Sequence, residues 1–584
     1  MLPKNLERRL QQAVSAVLPD ADTSNVLVRP CPDPKFGDYQ SNALMAVAKE
    51  RKMNPRQLAT DVVAKLEVSE WCEKVEIAGA GFLNFRLKVG ALALALEEAA
   101  KMEQPFVQKA QKPRTVVIDF SSPNIAKPMH VGHIRSTILG DSLARVLRIL
   151  GHKVITDNHI GDWGTQFGKL LVGWKGHLDR ANLERDPIGE MERLYKLINS
   201  ACEADEKVLE TARQELVKLQ NGDAENLGIW REMIALSEKQ FERVYTRLNI
   251  RFDHTYGESF YNPRLKAVVE ELKDKGIAQE SEGAICVFSD GSIPEKNDPL
   301  LKQEDGKWKP NPCLIQKSDG AANYATTDLA TLAFRLETWQ PEEIAYVTDG
   351  RQQLHFSQIF LVFKRWHPEA KVKLAHVWFG SIMGEDGKPF KTRSGETIKL
   401  EDLLDEAEER ALKVVQEKTT GMTEAQQREI ARVVGLGAIK YADLSPNRQS
   451  DYVFSWDKML ALQGNTAPYL QYAYTRIRSI FRKVEGESVV FTNLQLAAPD
   501  EITLAKHLLN FGLVLEAVAE DYRPNFLCTY LFELAGHFAR FYENCPVLKS
   551  EGAERASRLA LCDLTARVMK QGLAALGIET TEQM

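Results

Sequence analysis

The sequence predicts a multidomain α/β protein: a doubly wound parallel sheet, with a small α/β module before it and an all-helical domain after it. From Thr115 onward, buried strand-like segments alternate with amphipathic helices, as in a parallel sheet with crossover helices. A turn-rich segment and a strand pair come earlier, and the pattern is helical almost throughout after Leu400. A chain of 584 residues has room for about two to four domains.

The composition fits a globular protein, with 44% hydrophobic and 27% charged residues. No apolar run has the length of a membrane span, and MLPKNLERRLQQAV does not resemble a signal peptide, so we expect a cytoplasmic protein that binds no membrane. The 8 cysteines form no CxxC pair, which favours buried thiols over structural zinc. At a net charge of −6, any contact with nucleic acid requires local clusters of Lys and Arg.

Residues 1–110 predict a separate α/β module. A helix is followed by the turn-rich CPDPKFGDYQSN, a second helix from Pro55 and the strand pair VEIAGAGFLNFRL. The stretch KMEQPFVQKAQKPR is typical of a linker and closes the module.

Residues 111–400 predict the parallel sheet. The strand TVVIDF, a long helix closed by Gly151 and the strand KVITDN form a βαβ unit. A charged, mostly helical insertion occupies about 170–310, and EIAYVTD and AHVWFGSIM supply the second half of the sheet. The cleft is expected at the carboxyl ends of these strands. Beyond it we expect a helical stem over 401–450 and a helical domain over 451–584.

The motif His130-Val131-Gly132-His133 opens the long helix that follows TVVIDF. His130 and His133 lie three positions apart on one helix face, where imidazole N–H groups and the positive end of the helix dipole can meet a triphosphate. Gly132 admits close approach of a nucleotide. The alternative is two surface histidines at a helix start, which the strand-loop-helix context disfavours.

At these residues the chain resembles a known enzyme family. PNIAKPMHVGH resembles the "HIGH" signature of class I aminoacyl-tRNA synthetases, and NHIGDWGTQFG resembles the arginine-specific members. The resemblance implies a Rossmann-like catalytic domain whose substrates are arginine, ATP with Mg²⁺, and tRNA(Arg). It also implies two steps, formation of arginyl-adenylate and transfer to the terminal adenosine of the tRNA, with the tRNA bound before the first.

The resemblance also assigns residues to ATP. The expected contacts are Ser122, Pro123, His130, Gly132, His133, His159, Gly161 and Asp162. The segment GEDGKPFKTRSGETIKL resembles the family's mobile "KMSKS" loop, in which Lys391 and Arg393 are the expected catalytic cations. The second lysine of that signature is missing, and Lys127 is expected to compensate for it. Which cation meets the pyrophosphate stays open.

Recognition of arginine requires carboxylates, because a guanidinium presents planar donors that carboxylates accept. Asp119 and Asp328 are the candidates. If ATTDLATLAFRL is helical, Tyr324 and Asp328 share one face, and the resemblance makes them the specificity pair. It places Asn124 and Gln352 at the amino and carboxyl ends of the substrate. The alternatives are a surface ion pair for Asp328 and a strand-end cap for Asp119.

Two regions are candidates for tRNA binding. Aromatic and basic residues interleave in a segment that resembles the family's anticodon-binding domain, and we expect contacts from Tyr469, Tyr472 and Arg476. For any one of these residues alone, a core position in an amphipathic helix is the favoured interpretation. The N-terminal FGDYQSN and GAGFLNF resemble an extra module of the family, with Asn84 and Phe85 as candidate contacts, and a structural hairpin is the alternative. The family resemblance favours a monomer.

The sequence disfavours two rival functions. Another class I synthetase, such as one for cysteine, is disfavoured by the lack of zinc-type cysteines and by Asp119 and Asp328. A non-catalytic tRNA-binding relative is disfavoured by the intact histidine motif and by Lys391.

Overall fold

The computed structural model describes residues 1–390, 398–418, 421–484 and 489–584. The chain forms two compact units. The first comprises Met1–Ala110, Ala411–Ser445 and Asp457–Met584, and the second comprises Gln111–Arg410 and Pro446–Trp456.

The N-terminal module of the first unit is a four-stranded antiparallel sheet with helices beside it. Its helices are α1 (Leu2–Val17), α2 (Ala43–Glu50), α3 (Pro55–Val63) and α4 (Val89–Ala100). Its strands are β1 (Arg29–Pro30), β2 (Tyr39–Ser41), β3 (Cys72–Ala78) and β4 (Phe82–Leu87), in the order β1-β2-β4-β3. The predicted first helix, the helix from Pro55 and the strand pair are confirmed. Asn54 caps α3 by accepting from the amides of Arg56 and Gln57.

The second unit contains the parallel sheet and the insertion. Its strands are β5 (Thr115–Phe120), β6 (Lys153–Asp157), β7 (Gln279–Ser281), β8 (Ala284–Val287), β9 (Leu301–Glu304), β10 (Lys307–Pro310), β11 (Cys313–Gln316), β12 (Glu343–Val347), β13 (Lys373–His376), β14 (Ile382–Met383) and β15 (Tyr452–Val453). Its helices are α5 (Val131–Ile149), α6 (Gln166–His177), α7 (Arg180–Arg185), α8 (Pro187–Ala204), α9 (Glu206–Gln220), α10 (Ala224–Arg247), α11 (Asn262–Asp274), α12 (Tyr324–Trp339), α13 (Gln353–Trp366) and α14 (Leu400–Lys418), which continues past Arg410 into the first unit.

The central sheet has the strand order β13-β12-β5-β6, with every pair parallel. The predicted doubly wound parallel sheet is confirmed. The chain leaves β5 toward β6 on one side and later fills β12 on the other, so the order reverses between β5 and β12. At such a switch point the loops after the two strands diverge and leave a crevice at the carboxyl edge. Helix α5 crosses β5 closely at Gly140, where an added Cβ would lie 2.2 Å from the ring of Phe120.

The insertion is helical only in its first part. Helices α6 to α11 end at Asp274, and the chain then forms an antiparallel sheet, β11-β8-β7, and the hairpin β9-β10. The insertion is therefore mostly helical, as expected, but its last part, after Asp274, is formed by short strands. The predicted strand AHVWFGSIM is also shifted, because β13 ends at His376 and β14 pairs with β15 instead.

The rest of the first unit is a helical bundle. Its helices are α15 (Glu424–Leu444), α16 (Trp456–Met459), α17 (Ala467–Lys483), α18 (Pro499–Leu508), α19 (Phe511–Asp521), α20 (Asn525–Asn544) and α21 (Gly552–Ala575). Pro499–Asp521 is long and apolar enough to cross a membrane by length and composition. It is divided into α18 and α19, and over half of its apolar window is buried. Both parts pack against α20, which makes the segment part of the bundle core.

Candidate active site

The two motif histidines lie at the amino end of α5. His130 is the N-cap residue, and its Nδ1 accepts from the amide of Gly132 at 3.1 Å. His133 Nδ1 accepts from the amide of His130 at 3.1 Å, and the ring centroids lie 4.0 Å apart. Because Nδ1 is the acceptor in both rings, a neutral imidazole at either position carries its proton on Nε2.

Both imidazoles are held in the neutral form. Burial lowers the pKa of His130, and the nearby ammonium of Lys127 lowers it further. Burial also lowers the pKa of His133 to about 3, with His130 contributing. At neutral pH the helix start therefore presents two neutral Nε2–H donors. Gly132 is required locally, since an added Cβ would lie 2.8 Å from the His130 ring.

The loop between β5 and α5 has an unusual backbone. Ser121, Ser122 and Ala126 all have positive φ, at 75°, 49° and 60°. The loop is held from both sides: the Ser122 amide donates to Asn158 Oδ1 at 3.0 Å, and Ser122 Oγ donates to Asp119 Oδ1 at 3.2 Å. Non-glycine residues at positive φ persist only when their surroundings over-determine them.

This loop pairs with the loop that follows β6. The Gly161 amide donates to the Pro123 carbonyl, and the Ile125 amide donates to the Gly161 carbonyl, each at 3.0 Å. An added Cβ on Gly161 would lie 2.1 Å from Oδ1 of Asn124. Asn124 is exposed, and glycine at 161 is what allows its side chain to lie where it does.

Asp162 is fully engaged by Ser259. Its two carboxylate oxygens accept from the Ser259 amide at 2.8 Å and from Ser259 Oγ at 2.5 Å. Burial raises the pKa of Asp162 against these hydrogen bonds. The contact fixes the turn that carries Glu258, whose amide donates to the Ile160 carbonyl.

We use the term acidic pocket for the surroundings of Asp328 on α12, where the charge of Asp328 acts on Glu258. Asp328 Oδ2 lies 2.5 Å from His355 Nε2, and its side chain is 19% exposed. Burial, together with the charges of Asp162 and Asp328, raises the pKa of Glu258 to about 8. The predicted helix is confirmed, so Tyr324 and Asp328 lie one turn apart on α12, and Tyr324 is 71% exposed.

Asp119 does not line this pocket. Its Oδ2 accepts from Arg335 Nη2 at 2.6 Å, and the same nitrogen donates to Asp157 Oδ2 at 2.8 Å. Asp119 is 3% exposed and Arg335 is fully buried. We therefore correct the expectation that Asp119 is open to a guanidinium substrate. It neutralises a guanidinium of the protein itself and orients Ser122.

Two more of the predicted residues, Gln352 and His159, follow strands of the parallel sheet at their carboxyl ends. Gln352 ends a 3₁₀ turn after β12 and is exposed. His159 follows β6 and contacts the ring of Tyr261, with centroids 5.5 Å apart. Its buried Nδ1 has no hydrogen-bond partner in the described part of the chain. Lys391 and Arg393 lie outside the described residues, but the segment after them is anchored: the Val131 amide donates to the Ile398 carbonyl.

Comparison with known proteins decides the family. The model described as "tRNA synthetases class I (R), catalytic domain" matches residues 95–456. The chain belongs to the class I arginyl-tRNA synthetases. An "Arginyl tRNA synthetase N terminal domain" matches residues 4–87, and a "DALR anticodon binding domain" matches residues 470–584.

Relatives cover the full chain. It is 46% identical to an arginine–tRNA ligase of Synechococcus sp. and 46% identical to that of Chromobacterium violaceum, with 99% of each chain covered in both comparisons. Among solved structures, arginyl-tRNA synthetases of Plasmodium falciparum (30% identity, TM-score 0.82, 100% of this chain and 99% of the other) and Thermus thermophilus (26%, 0.84, 100% of both) share the fold. The protein is an arginine–tRNA ligase that uses ATP, as the sequence predicted.

Sequence reasoning did not single out two residues of the acidic pocket, Glu258 and His355. Glu258 lies in the insertion, seventy positions from Asp328 in sequence, so only the fold reveals that their charges interact. His355 follows Gln352 by three residues, and its position next to a predicted substrate contact was the one available signal. Neither residue belongs to a motif that indicates a guanidinium site by itself.

The residues expected to contact tRNA differ in accessibility. On α17, Tyr472 is 45% exposed, Arg476 is exposed with its guanidinium 5.1 Å from the ring centre of Tyr542, and Tyr469 is half-buried against Phe532. In the N-terminal module Phe85 is fully buried. We therefore correct that expectation, because a ring without exposed surface cannot stack on a base.

The same module places Asn84 in a buried position. It is 6% exposed in the middle of β4, between β2 and β3. Its backbone pairs with Gln40 and Glu76.

The described residues contain no group of three or more His, Cys, Asp or Glu side chains arranged to hold a metal ion. Magnesium enters the following proposal only as part of the substrate, bound to ATP.

Proposed function

We propose that the carboxyl edge of the parallel sheet activates arginine with the residues described above. ATP lies over the amino end of α5, and arginine lies beside it with its guanidinium in the acidic pocket. One observation carries this assignment: two neutral imidazole donors and a pocket with two carboxylates flank the same switch point between β5 and β12.

ATP enters as its magnesium complex, the ordinary form of this substrate. The Nε2–H groups of His130 and His133 donate to its phosphate oxygens, and the positive end of the α5 dipole favours the negative charge of the phosphates. Gly132, Ser122 and Pro123 form the wall against which the nucleotide packs. His159, with its unpartnered Nδ1, and the Gly161–Asp162 turn complete that wall.

Arginine is recognised by charge and geometry together. Asp328 is oriented by His355, and Glu258 supplies a second carboxylate that becomes ionised when the guanidinium arrives. A charged guanidinium between carboxylates gains charge-assisted hydrogen bonds. Tyr324 covers the pocket, while Asn124 and Gln352 hold the amino and carboxylate groups of the substrate.

The chemistry needs no covalent nucleophile from the protein. A carboxylate oxygen of arginine attacks the α-phosphorus, the bond to the bridging oxygen breaks, and pyrophosphate leaves. The 2′-hydroxyl of the terminal adenosine then attacks the arginyl carbonyl, loses its proton, and AMP leaves. Lys127, Lys391 and Arg393 stabilise the charge that builds on the pyrophosphate, so the protein acts by positioning and electrostatics.

The tRNA is bound outside this site. We assign anticodon contacts to Tyr469, Tyr472 and Arg476. We assign a further tRNA contact to residues 1–110, in the part of this module that contains Asn84. Catalysis belongs to 111–400, the stem to 401–450 and anticodon binding to 451–584. We also propose that the protein works as a cytoplasmic monomer without membrane contact.

The decisive experiment is ATP–pyrophosphate exchange with each amino acid in turn, in the presence of matched tRNA. Arginine alone should support exchange. His133→Ala should abolish it while tRNA binding persists, and Asp328→Ala should raise the KM for arginine. His367→Ala is the matched control, because His367 also pairs with a carboxylate, Glu369, at 3.3 Å but has no role in the proposed binding of ATP or arginine. Unchanged exchange in His133→Ala would remove the helix start from the mechanism.

A further inference from the structure

Two lysine ammonium groups meet at one aromatic ring beside the candidate ATP site. Lys127 Nζ lies over the ring of Tyr195 at 5.5 Å from its centre, and Lys169 Nζ lies over the same ring at 5.9 Å. Lys127 stands in the loop before α5, Lys169 in the first turn of α6, and Tyr195 on α8. Three separate segments therefore bring two like charges to one ring. The distance between the two Nζ atoms is at most the sum of their distances to the ring centre.

The position of Lys169 is fixed by its neighbours. Its ammonium donates to Oδ1 of Asn199 at 2.6 Å, and the Asn199 amide is oriented in turn by donating to Glu203 at 2.9 Å. Tyr195 and Asn199 are four residues apart on α8 and so lie on one face of that helix. The ring and the amide oxygen together hold Lys169 without neutralising it.

The two helices that carry this arrangement are packed closely. At Gly173 of α6 an added Cβ would lie 3.1 Å from the Cβ of Leu194, and Leu194, next to Tyr195, is fully buried. Gly168, next to Lys169, packs closely against α9. An added Cβ at Gly168 would lie 2.2 Å from the Ala212 carbonyl oxygen. The ring and the lysine are thus attached to rigid backbone on both sides.

Neither ammonium has a carboxylate partner within the described ranges of the chain. Elsewhere in the insertion a lysine is neutralised, as Lys175 is by Glu215 at 2.8 Å. Two positive charges over one ring repel each other when no counter-ion is present, and the aromatic ring stabilises a cation without removing its charge. Such a pair is suited to an anion that carries more than one negative charge.

The location identifies the anion. Lys127 precedes His130 by three residues and lies close enough for its charge to act on that imidazole, so the cation pair adjoins the donors assigned to the triphosphate. We propose that Lys169, positioned by Tyr195 and Asn199, binds the pyrophosphate end of ATP together with Lys127. The insertion then supplies the cation that the signature loop lacks. This inference rests on the proposed placement of ATP at the start of α5.

The test uses the full-length protein with tRNA(Arg) in ATP–pyrophosphate exchange, with inorganic pyrophosphate as the probe of the site. Lys169→Met should raise the KM for ATP and weaken inhibition of aminoacylation by pyrophosphate by about tenfold each, the size of one lost charge-assisted contact. The KM for arginine should stay the same. Lys127→Met should act in the same direction, and the double variant should lose less than the product of the two single effects, because both lysines act on one anion.

Tyr195 is a positioning residue, so its variants distinguish the effect of losing the aromatic ring from a general loss of stability. Tyr195→Phe keeps the aromatic face and should lose much less than Tyr195→Leu, which should shift the same two constants as Lys169→Met. Arg180→Met is the matched control, because Arg180 lies over the ring of Trp174 at 5.6 Å in the same insertion but outside the cluster. Its constants should match those of the unaltered protein.

Each remaining outcome is decisive. If Lys127→Met weakens ATP and pyrophosphate binding while Lys169→Met and Tyr195→Leu do not, the inference fails and the proposed ATP placement stands. If none of the three affects them, the ATP placement fails as well. If Lys169→Met raises only the KM for tRNA, the cation pair binds an RNA phosphate and the inference is overturned.

Discussion

The Nε2 atom of His355 lies 2.5 Å from Oδ2 of Asp328, so one oxygen of the pocket carboxylate is engaged by the protein. Within the described residues Oδ1 of Asp328 makes no hydrogen bond. The imidazole therefore fixes the plane of the carboxylate and leaves one oxygen for a substrate donor. A freely rotating carboxylate would have to be ordered each time arginine binds, which weakens binding.

We expect His355→Ala to raise the KM for arginine about tenfold, the equivalent of about 1.4 kcal/mol, because the carboxylate loses its fixed orientation. The kcat should change much less, since His355 is proposed to orient the carboxylate that binds the arginine side chain and not to act on the phosphate. Steady-state exchange kinetics with varied arginine measure both constants. His355→Gln, which can still donate an N–H, should recover part of the affinity, and equal KM values in all three proteins would contradict the role.

Arginine binding should depend on pH through Glu258. Its pKa of about 8 in the free protein means that the carboxyl group is largely protonated at pH 7, whereas the guanidinium favours the ionised form. Binding must then release a proton, so affinity increases as pH rises toward 8 and levels off above it. The slope below pH 8 approaches about tenfold per pH unit when the coupling is complete.

The measurement is the arginine KM between pH 6.5 and 8.5, or proton release by calorimetry in buffers of different ionisation heat. Glu258→Gln should bind arginine more weakly and lose the pH slope. The α-amino group of arginine titrates in both proteins, so the comparison isolates Glu258. A slope that persists in the glutamine variant would assign the proton elsewhere.

The sequence predicted the parts of the fold that follow from local periodicity. The βαβ unit at 115–157, the helix that begins at Tyr324 and the C-terminal helices all show their apolar pattern in the chain itself. The strands from Gln279 to Gln316 were not predicted, because they are short, partly exposed and paired as antiparallel hairpins within a charged region.

The site was predictable only where a motif carried it. Spacing and resemblance singled out His130, His133 and Asp328 as candidates, but they gave no sign of the partner of Asp119. Asp119 and Asp157 pair across parallel strands, and the buried cation between them, Arg335, comes from a helix more than 170 residues away in sequence. Such long-range pairing leaves no local signal, so a buried structural carboxylate looked like a substrate ligand.

Gly161→Ala should impair activation without unfolding the protein. The new Cβ would lie 2.1 Å from Asn124 Oδ1, so the Asn124 side chain must move from its position at the proposed substrate amino group. We expect exchange activity to fall by about a hundredfold, as a small displacement of a positioning group can cause. Thermal melting by circular dichroism should change little. Gly176→Ala is the control, since nothing lies within 4 Å of its Cβ.

Tyr472→Ala and Arg476→Ala should weaken tRNA binding. The two residues lie one turn apart on α17 and both are exposed, so a base can stack on the ring while the guanidinium meets a phosphate. We expect Tyr472→Ala to cost about 1–3 kcal/mol of tRNA-binding free energy. We expect Arg476→Ala to reduce the salt dependence of tRNA binding. Filter binding at several salt concentrations measures both. The control is Lys266→Ala, because Lys266 is an exposed cation on α11 in the other unit; this substitution should leave tRNA affinity unchanged. If it weakened tRNA binding as much as the α17 substitutions, the α17 residues would act only through net charge.

Replacing Arg335 should destabilise the fold more than it alters arginine recognition. Its guanidinium is fully buried between Asp119 and Asp157, and Nε and Nη1 have no hydrogen-bond partner in the part of the chain that the structure describes. The cluster is thus not optimised for stability, but Arg335→Met would leave two buried carboxylates facing each other. Breaking a buried ion pair from one side costs about 3–5 kcal/mol, which denaturant unfolding would detect.

Combining Arg335→Met with Asp119→Asn and Asp157→Asn removes all three charges and should recover much of that loss. If the triple variant were as unstable as the single one, shape rather than charge would explain why arginine occupies this position.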